Sequence, residues 1–201
     1  MADPSSRWPL TGYDELRDRL LAAYSAPERG YHDVRHLEEV LDRLLELLPE
    51  ESAGVDQDAV LLAAWFHDAV YDGRNDDEER SAELAADALA GFDTARAAEV
   101  ARLVRLTAAH QPADDDLAGQ LLCDADLAIL ASGPGRYGEY VAGVRREYAH
   151  LPDPDFGAGR AAVLHDLAGR EQLFHTAYGR AEWEPAARAN LERELAALAQ
   201  G

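Results

Sequence analysis

The chain of 201 residues carries 39 acidic against 19 basic side chains, a formal charge of -20, with 47% hydrophobic and 29% charged residues. That length can bury a real core in a single domain, and the mixture excludes both a disordered chain and a membrane-length apolar run. Every basic residue is Arg and none is Lys; so acidic a field repels polyphosphate backbones and argues against a nucleic-acid partner, while a few Arg can still line a cleft for a small phosphorylated molecule.

Helical periodicity dominates, with Ala, Leu, Glu and Arg abundant and β-branched runs few, so the pattern predicts an all-α fold. A first helix spans Asp14 to Tyr24 and stops before Pro27, and SAPERG forms a loop. A second, Asp33 to Leu48, carries Val34, Leu37, Leu41, Leu44 and Leu48 on one stripe and ends at Pro49. The third, Asp56 to Tyr71, begins with acidic residues that suit the positive end of a helix and is apolar on nearly all sides, which makes it central. After DGRNDDEE a fourth runs to Ala90 and a fifth from Thr94 to His110, before Pro112 and three aspartates break the chain. LLCDADLAILA reads as a short, mostly buried helix, and SGPGR separates it from a helix over Tyr137 to His150. LPDPD breaks the pattern again, and helices over Phe156 to Tyr178 and Trp183 to Ala199 complete it.

These elements read as one domain over residues 1–201, with a core over about 8–180 and the last helix, 183–199, packed on it. The opening MADPSSRWPL lacks the basic start and apolar stretch of an export signal, and the lone Cys123 suits a reducing compartment, so a cytoplasmic location without membrane attachment is expected. The acidic final helix fits a monomer or a homodimer equally.

Three separated stretches carry the chemistry. In YHDVRH, His32 and His36 lie one helical turn apart. AAWFHDAVYD sets His67 and Asp68 inside an apolar helix, where two ionisable groups are costly to bury unless paired or coordinated. LLCDADLAIL embeds Asp124 and Asp126 in equally apolar surroundings. Together they offer the mixed nitrogen and oxygen donors that suit one borderline divalent metal ion.

The order His36, His67-Asp68 and then an Asp of CDADLAIL resembles the HD superfamily of metal-dependent phosphohydrolases. Further segments, EERSA, LTAAH, RREY, GRAAVL and EPAARANL, look like a small stand-alone bacterial branch of it, a likeness that spans roughly residues 8–199. The resemblance implies an HD-type helical bundle and a metal held by His36, His67, Asp68 and Asp126, with Mn, Fe, Mg, Ni, Co and Zn all admissible. Asp126, preceded by Ala125, fits the family pattern better than Asp124, which is then expected beside the substrate. It also implies a hydrolase for a phosphomonoester or nucleotide, in which metal-activated water attacks phosphorus.

Helpers for that reaction are expected among Asp72, Glu78, Glu79 and His110, the last on the stripe Val100, Leu103, Val104, Thr107 and His110 of the fifth helix. His32, Arg35, Arg146, Arg160 and Arg188 are candidates for holding substrate phosphate, each with a structural role as the alternative. Two other readings are open. One is a diiron oxygenase, which needs more His between the HD pair and the last Asp than His110 alone; the other is a non-catalytic metal-binding regulatory module.

Overall fold

Nine α-helices follow one another in the computed structural model, which describes residues 4–51 and 54–200: α1 (Asp14–Tyr24), α2 (Val34–Glu51), α3 (Gln57–Phe66), α4 (Asp77–Leu89), α5 (Thr94–Leu106), α6 (Leu117–Leu127), α7 (Pro134–Glu147), α8 (Asp153–Gly169) and α9 (Glu184–Leu198). Short 3-10 turns occupy Pro4–Arg7 and Ala128–Ala131, a π-helical turn at Gly179–Trp183 leads into α9, and none of the described residues is in a strand. No described helix is long and apolar enough to cross a membrane.

The apolar helix α3 is the hub. Val60 and Leu62 through Phe66 are buried without remainder, and α3 packs against α2, α4, α5 and α6. Leu37, Leu41, Leu44 and Leu48 of α2 face this core, as their one-sided spacing requires, and Trp8 meets Trp65 edge to face at 5.1 Å. One hydrophobic core runs from Leu10 to Leu191, and α9 closes it by packing on α8 and on the turn Ala128–Ala131. Inside that closure Arg160 and Glu194 form a buried ion pair (2.7 Å) to which the Tyr137 hydroxyl donates (2.6 Å).

The helix limits depart from the sequence expectation in four helices. Pro49 does not end α2, which continues to Glu51. Helix α8 starts earlier than Phe156 and ends earlier than Tyr178, because Pro154 sits in its first turn, where no backbone donor is needed, and two carboxylates claim the backbone beyond it. Glu184 accepts from the N–H groups of Leu173 and Phe174, and Asp124 from those of His175 and Thr176. Helices α3 and α5 stop short of Tyr71 and His110, and both early ends bear on the site.

Candidate metal centre

Two neighbouring residues on a helix point about 100° apart. His67 keeps helical backbone angles (φ -55°, ψ -39°) and donates its N–H to the Ala63 carbonyl (2.9 Å), so the pair straddles the last helical position of α3 and the turn after it. The helix ends at Phe66, the chain turns, and the two side chains converge. His36 lies in the first turn of α2, where the Asp33 carboxylate caps the helix by accepting from the N–H groups of Arg35 (2.9 Å) and His36 (3.2 Å). Asp126 arrives from the end of α6.

The four side chains meet. His36 Nε2 lies 3.0 Å from His67 Nε2, 3.3 Å from Asp68 Oδ2 and 3.2 Å from Asp126 Oδ1. His67 Nε2 lies 3.1 Å from Asp68 Oδ2 and 3.6 Å from Asp126 Oδ1. Ligand atoms about 2.1 Å from one cation stand about 3.0 Å apart in octahedral and about 3.4 Å apart in tetrahedral arrangement. His36, His67 and Asp68 form the compact trio, all three buried, and Asp126 adjoins it through both imidazoles.

The tautomer of His67 tests the fit. Its Nδ1 is 2.8 Å from the Ala64 carbonyl oxygen, which has no proton to give, so Nδ1 donates. In the neutral ring Nε2 then carries the lone pair, aimed at His36 and at two carboxylate oxygens. Three electron-rich partners around a lone pair repel unless a positive charge stands among them. The donor set fits a divalent cation.

The electrostatics make the same demand. Burial would push the Asp68 and Asp126 carboxyls up, yet the neighbouring histidines, His67 foremost, hold both well below the ordinary carboxylate range. Burial likewise opposes charge on His36 and His67, and the facing carboxylates win and raise both. The space between the carboxylates requires positive charge, which protons on the imidazoles or a metal ion can supply.

Compared with known proteins, the chain matches no family model, no curated protein and no solved structure. The likeness to the HD superfamily thus rests on the residues quoted from the sequence.

Among the expected helpers, His110 does reach the centre. It sits in a turn beyond the end of α5 with φ of +50°, the one non-glycine residue of positive φ among those described, and its Nε2 lies 2.8 Å from Asp126 Oδ2. It holds the oxygen of Asp126 that the other imidazoles do not contact. Glu78 is half-buried and lines a cavity of about 700 Å³ that opens on Asp126, together with His32, Tyr71, His110 and a mostly apolar wall that includes Ile129, Val144 and Phe156. Burial and the nearby charges of Asp68 and Asp77 raise its carboxyl above the usual range. Glu79 points elsewhere, in a two-pronged pair with Arg105 (2.6 and 2.7 Å), and Asp72 is exposed and held by Arg80 at 3.0 Å.

Several expected substrate contacts have other tasks. Asp124 is fully buried away from solvent and accepts from His175 N–H, Thr176 N–H and the Thr176 hydroxyl (2.7 Å), so it anchors the segment before α9. Arg35 pairs with Glu39 and Glu139, and Arg146 donates to the Gly30 carbonyl (2.7 Å). Arg160 borders the large cavity with its guanidinium engaged by Glu194, and Arg188 holds Glu184 and the carbonyls of Ala168 and Arg170. In a chain with 39 carboxylates and only Arg for cations, internal ion pairing claims guanidinium groups first. His32 precedes the cap of α2 and so is not on a common helical face with His36; it stacks on Tyr71 (4.2 Å between centroids) and its Nδ1 meets Glu147 (2.9 Å).

Glu147 and Tyr24 are neighbours of the cluster that the sequence did not single out. Glu147 Oε1 accepts from three successive N–H groups, Gly30, Tyr31 and His32, while Oε2 takes His32 Nδ1 and the Tyr71 hydroxyl. It lies in the RREY segment, but nothing local distinguishes it from the many surface glutamates. Tyr24, the last residue of α1, accepts from the Asp68 N–H through its hydroxyl (3.2 Å) and borders His67. Its position reads only as an apolar helix end.

Proposed function

We propose that the chain is a metal-dependent hydrolase of HD type acting on a small phosphorylated molecule. The observation that carries the reading is the convergence of His67 Nε2 and His36 Nε2 with the Asp68 and Asp126 carboxylates inside the core, while His67 Nδ1 is turned away to the Ala64 carbonyl. His36, His67, Asp68 and Asp126 would hold the ion. A bound divalent cation supplies Lewis acidity, which lets water serve as a nucleophile near neutral pH.

The remaining work falls to the chain. His110 steers Asp126, and Glu147 fixes both the His32 ring and the backbone that enters α2. Glu78, its carboxyl raised by burial and lining the same cavity as Asp126, is the group suited to take or return a proton; Glu79 and Asp72 are committed to arginines. The cavity, mostly apolar and of ordinary size for a small-molecule site, suits the organic portion of a phosphomonoester.

Elemental analysis combined with a screen of phosphomonoesters and nucleotides tests the proposal. The expected result is one divalent ion per chain, activity lost with chelator and regained with a divalent metal, and loss of both ion and activity in His67→Ala. Two irons per chain would favour the oxygenase reading, and bound metal without turnover of any phosphate ester would favour a regulatory module.

A further inference from the structure

The wall of the larger cavity narrows down what can occupy it. Helix α8 gives it one face, on which Phe156, Gly159, Val163 and Leu167 recur at three- and four-residue spacing. Ile129 in the turn after α6 and Val144 of α7 add further apolar surface.

Two features of the α8 face show room for an apolar group. Val163 lines the cavity and yet is 53% exposed, so contact with a hydrocarbon would remove apolar surface from water. Next to it along the stripe, a Cβ built at Gly159 would meet nothing within 4 Å, so the wall has an open notch at mid-helix.

Most polar groups of the wall are already engaged with the protein. The Thr107 hydroxyl donates to the Val104 carbonyl (2.8 Å) and that of Tyr71 to Glu147 (3.2 Å). Arg160 is held by Glu194, and Arg170 donates to Asp166 (2.8 Å) and to the His110 carbonyl (3.3 Å). His32 and His110 meet Glu147 and Asp126. Among the described residues no basic side chain pairs with Glu78 or Asp155, the two carboxylates that remain on this wall. A nucleobase, with donors and acceptors along its edge, would give up water here without regaining partners. Further phosphate groups would meet carboxylates and guanidinium groups already neutralised. A hydrocarbon group faces neither cost.

Resting on the hydrolytic reading, we propose that the site selects phosphomonoesters of a bulky, uncharged hydrocarbon group over nucleotides. The hydrocarbon would sit against the α8 face at Gly159 and Val163 and against Ile129 and Val144, with the phosphate toward Asp126. Specificity then comes as much from what the wall refuses as from what it contacts.

The test joins binding of the alcohols that hydrolysis would release, 1-naphthol and adenosine, to turnover of 1-naphthyl phosphate and AMP. Calorimetry on the full chain, chelator-treated and Mn-loaded, should show 1-naphthol bound about tenfold or more tighter than adenosine in both states. For the loaded protein, kcat/KM should favour 1-naphthyl phosphate over AMP on the order of 100-fold. Gly159→Leu, which fills the notch, should weaken 1-naphthol binding about tenfold or more, and Val163→Asp by a similar factor. Thermal stability of Gly159→Leu should stay level or rise, since a strong helix former replaces a glycine inside a helix; weaker binding through damage to the fold would lower it. Should Gly159→Leu fail to fold, Val163→Asp, at an exposed position, carries the test. Adenosine bound as tightly as 1-naphthol, AMP turned over as well as 1-naphthyl phosphate, or 1-naphthol binding indifferent to both variants would overturn the proposal. Preference for AMP would do so while upholding the hydrolytic reading. A chain that holds no metal and cleaves neither ester would refute that reading, while variant-sensitive binding of 1-naphthol would still assign the cavity to a hydrocarbon group.

Discussion

Glu78 and Glu79 are adjacent in the first turn of α4, yet one borders the large cavity and the other pairs with Arg105 at the surface. A proton carrier must have an adjustable proton. Burial and the neighbouring carboxylates raise Glu78, whereas the hydrogen bonds from Arg105 lower Glu79. Glu78→Gln is expected to cut kcat on the order of 100-fold with KM little changed, and Glu79→Gln to leave both near the parent values, as steady-state kinetics on the substrate found by screening will show. Equal losses in both variants would point to the helix end and not to the proton. Glu147 makes a second residue-scale test. Burial works to raise its carboxyl, but the hydrogen bond and charge of His32, with the backbone N–H groups of Tyr31 and His32, pull it from 4.5 down to about 2. A carboxyl lowered on folding stabilises the native state above its ordinary value and loses that contribution as pH falls through the window from 4.5 to about 2. With a side chain only 4% exposed, the contribution is on the order of 3 kcal/mol. Urea melts should therefore show Glu147→Gln markedly less stable than the parent at neutral pH, with the gap closing as both are acidified through that window.

At the scale of elements, the site depends on how closely α7 approaches the segment that leads into α2. A Cβ built at Gly143 would lie 2.7 Å from the Gly30 carbonyl oxygen and 3.0 Å from Tyr31 Cβ, and one at Gly30 would lie 2.2 Å from the Gly143 carbonyl oxygen. Only two glycines allow this contact, and it is what brings Glu147 under three N–H groups. Gly143→Ala should therefore cost roughly 1–3 kcal/mol in urea unfolding, the usual penalty of overpacking. Gly138→Ala, on the exposed face of the same helix with nothing within 4 Å, should instead stabilise by about 0.5–1 kcal/mol. Similar effects from both would mean that helix propensity, not the close approach, governs the position. Neither glycine is conspicuous in the sequence, because the contact joins residues 30 and 143 across the chain. Periodicity did locate α1 at both ends, and the stripe of α2 and the central place of α3 follow from local patterns. The early ends of α3 and α5 do not, since the sequence pattern continues past Phe66 and Leu106. The candidate site was legible as residue types in apolar surroundings, His36, His67, Asp68 and Asp126; Tyr24, which meets Asp68 N–H and His67, and Glu147, which holds the backbone leading into α2, act through hydroxyl and backbone contacts that leave no sequence pattern.

For the molecule as a whole, the formal charge of -20 would set the conditions under which the phosphorylated substrate of the proposed reaction reaches the larger cavity. Internal ion pairs take up many of the arginines, as with Arg35, Arg160 and Arg188, so the long-range field stays negative. Under the proposed function a phosphate dianion would enter against that field. Attraction inside a cavity acts over a few ångströms. Screening treats the two differently: the Debye length falls from about 30 Å at 0.01 M to about 8 Å at 0.15 M ionic strength, which removes distant repulsion before it weakens contacts inside a cavity. For a phosphorylated substrate, kcat/KM should therefore rise severalfold as an inert salt is raised over that range, while kcat stays level. Chloride salts make the better probe, since sulfate resembles a phosphate substrate and would compete with it. A kcat/KM that instead falls steadily with salt would show that a local positive field governs capture and that the overall charge has no part in it.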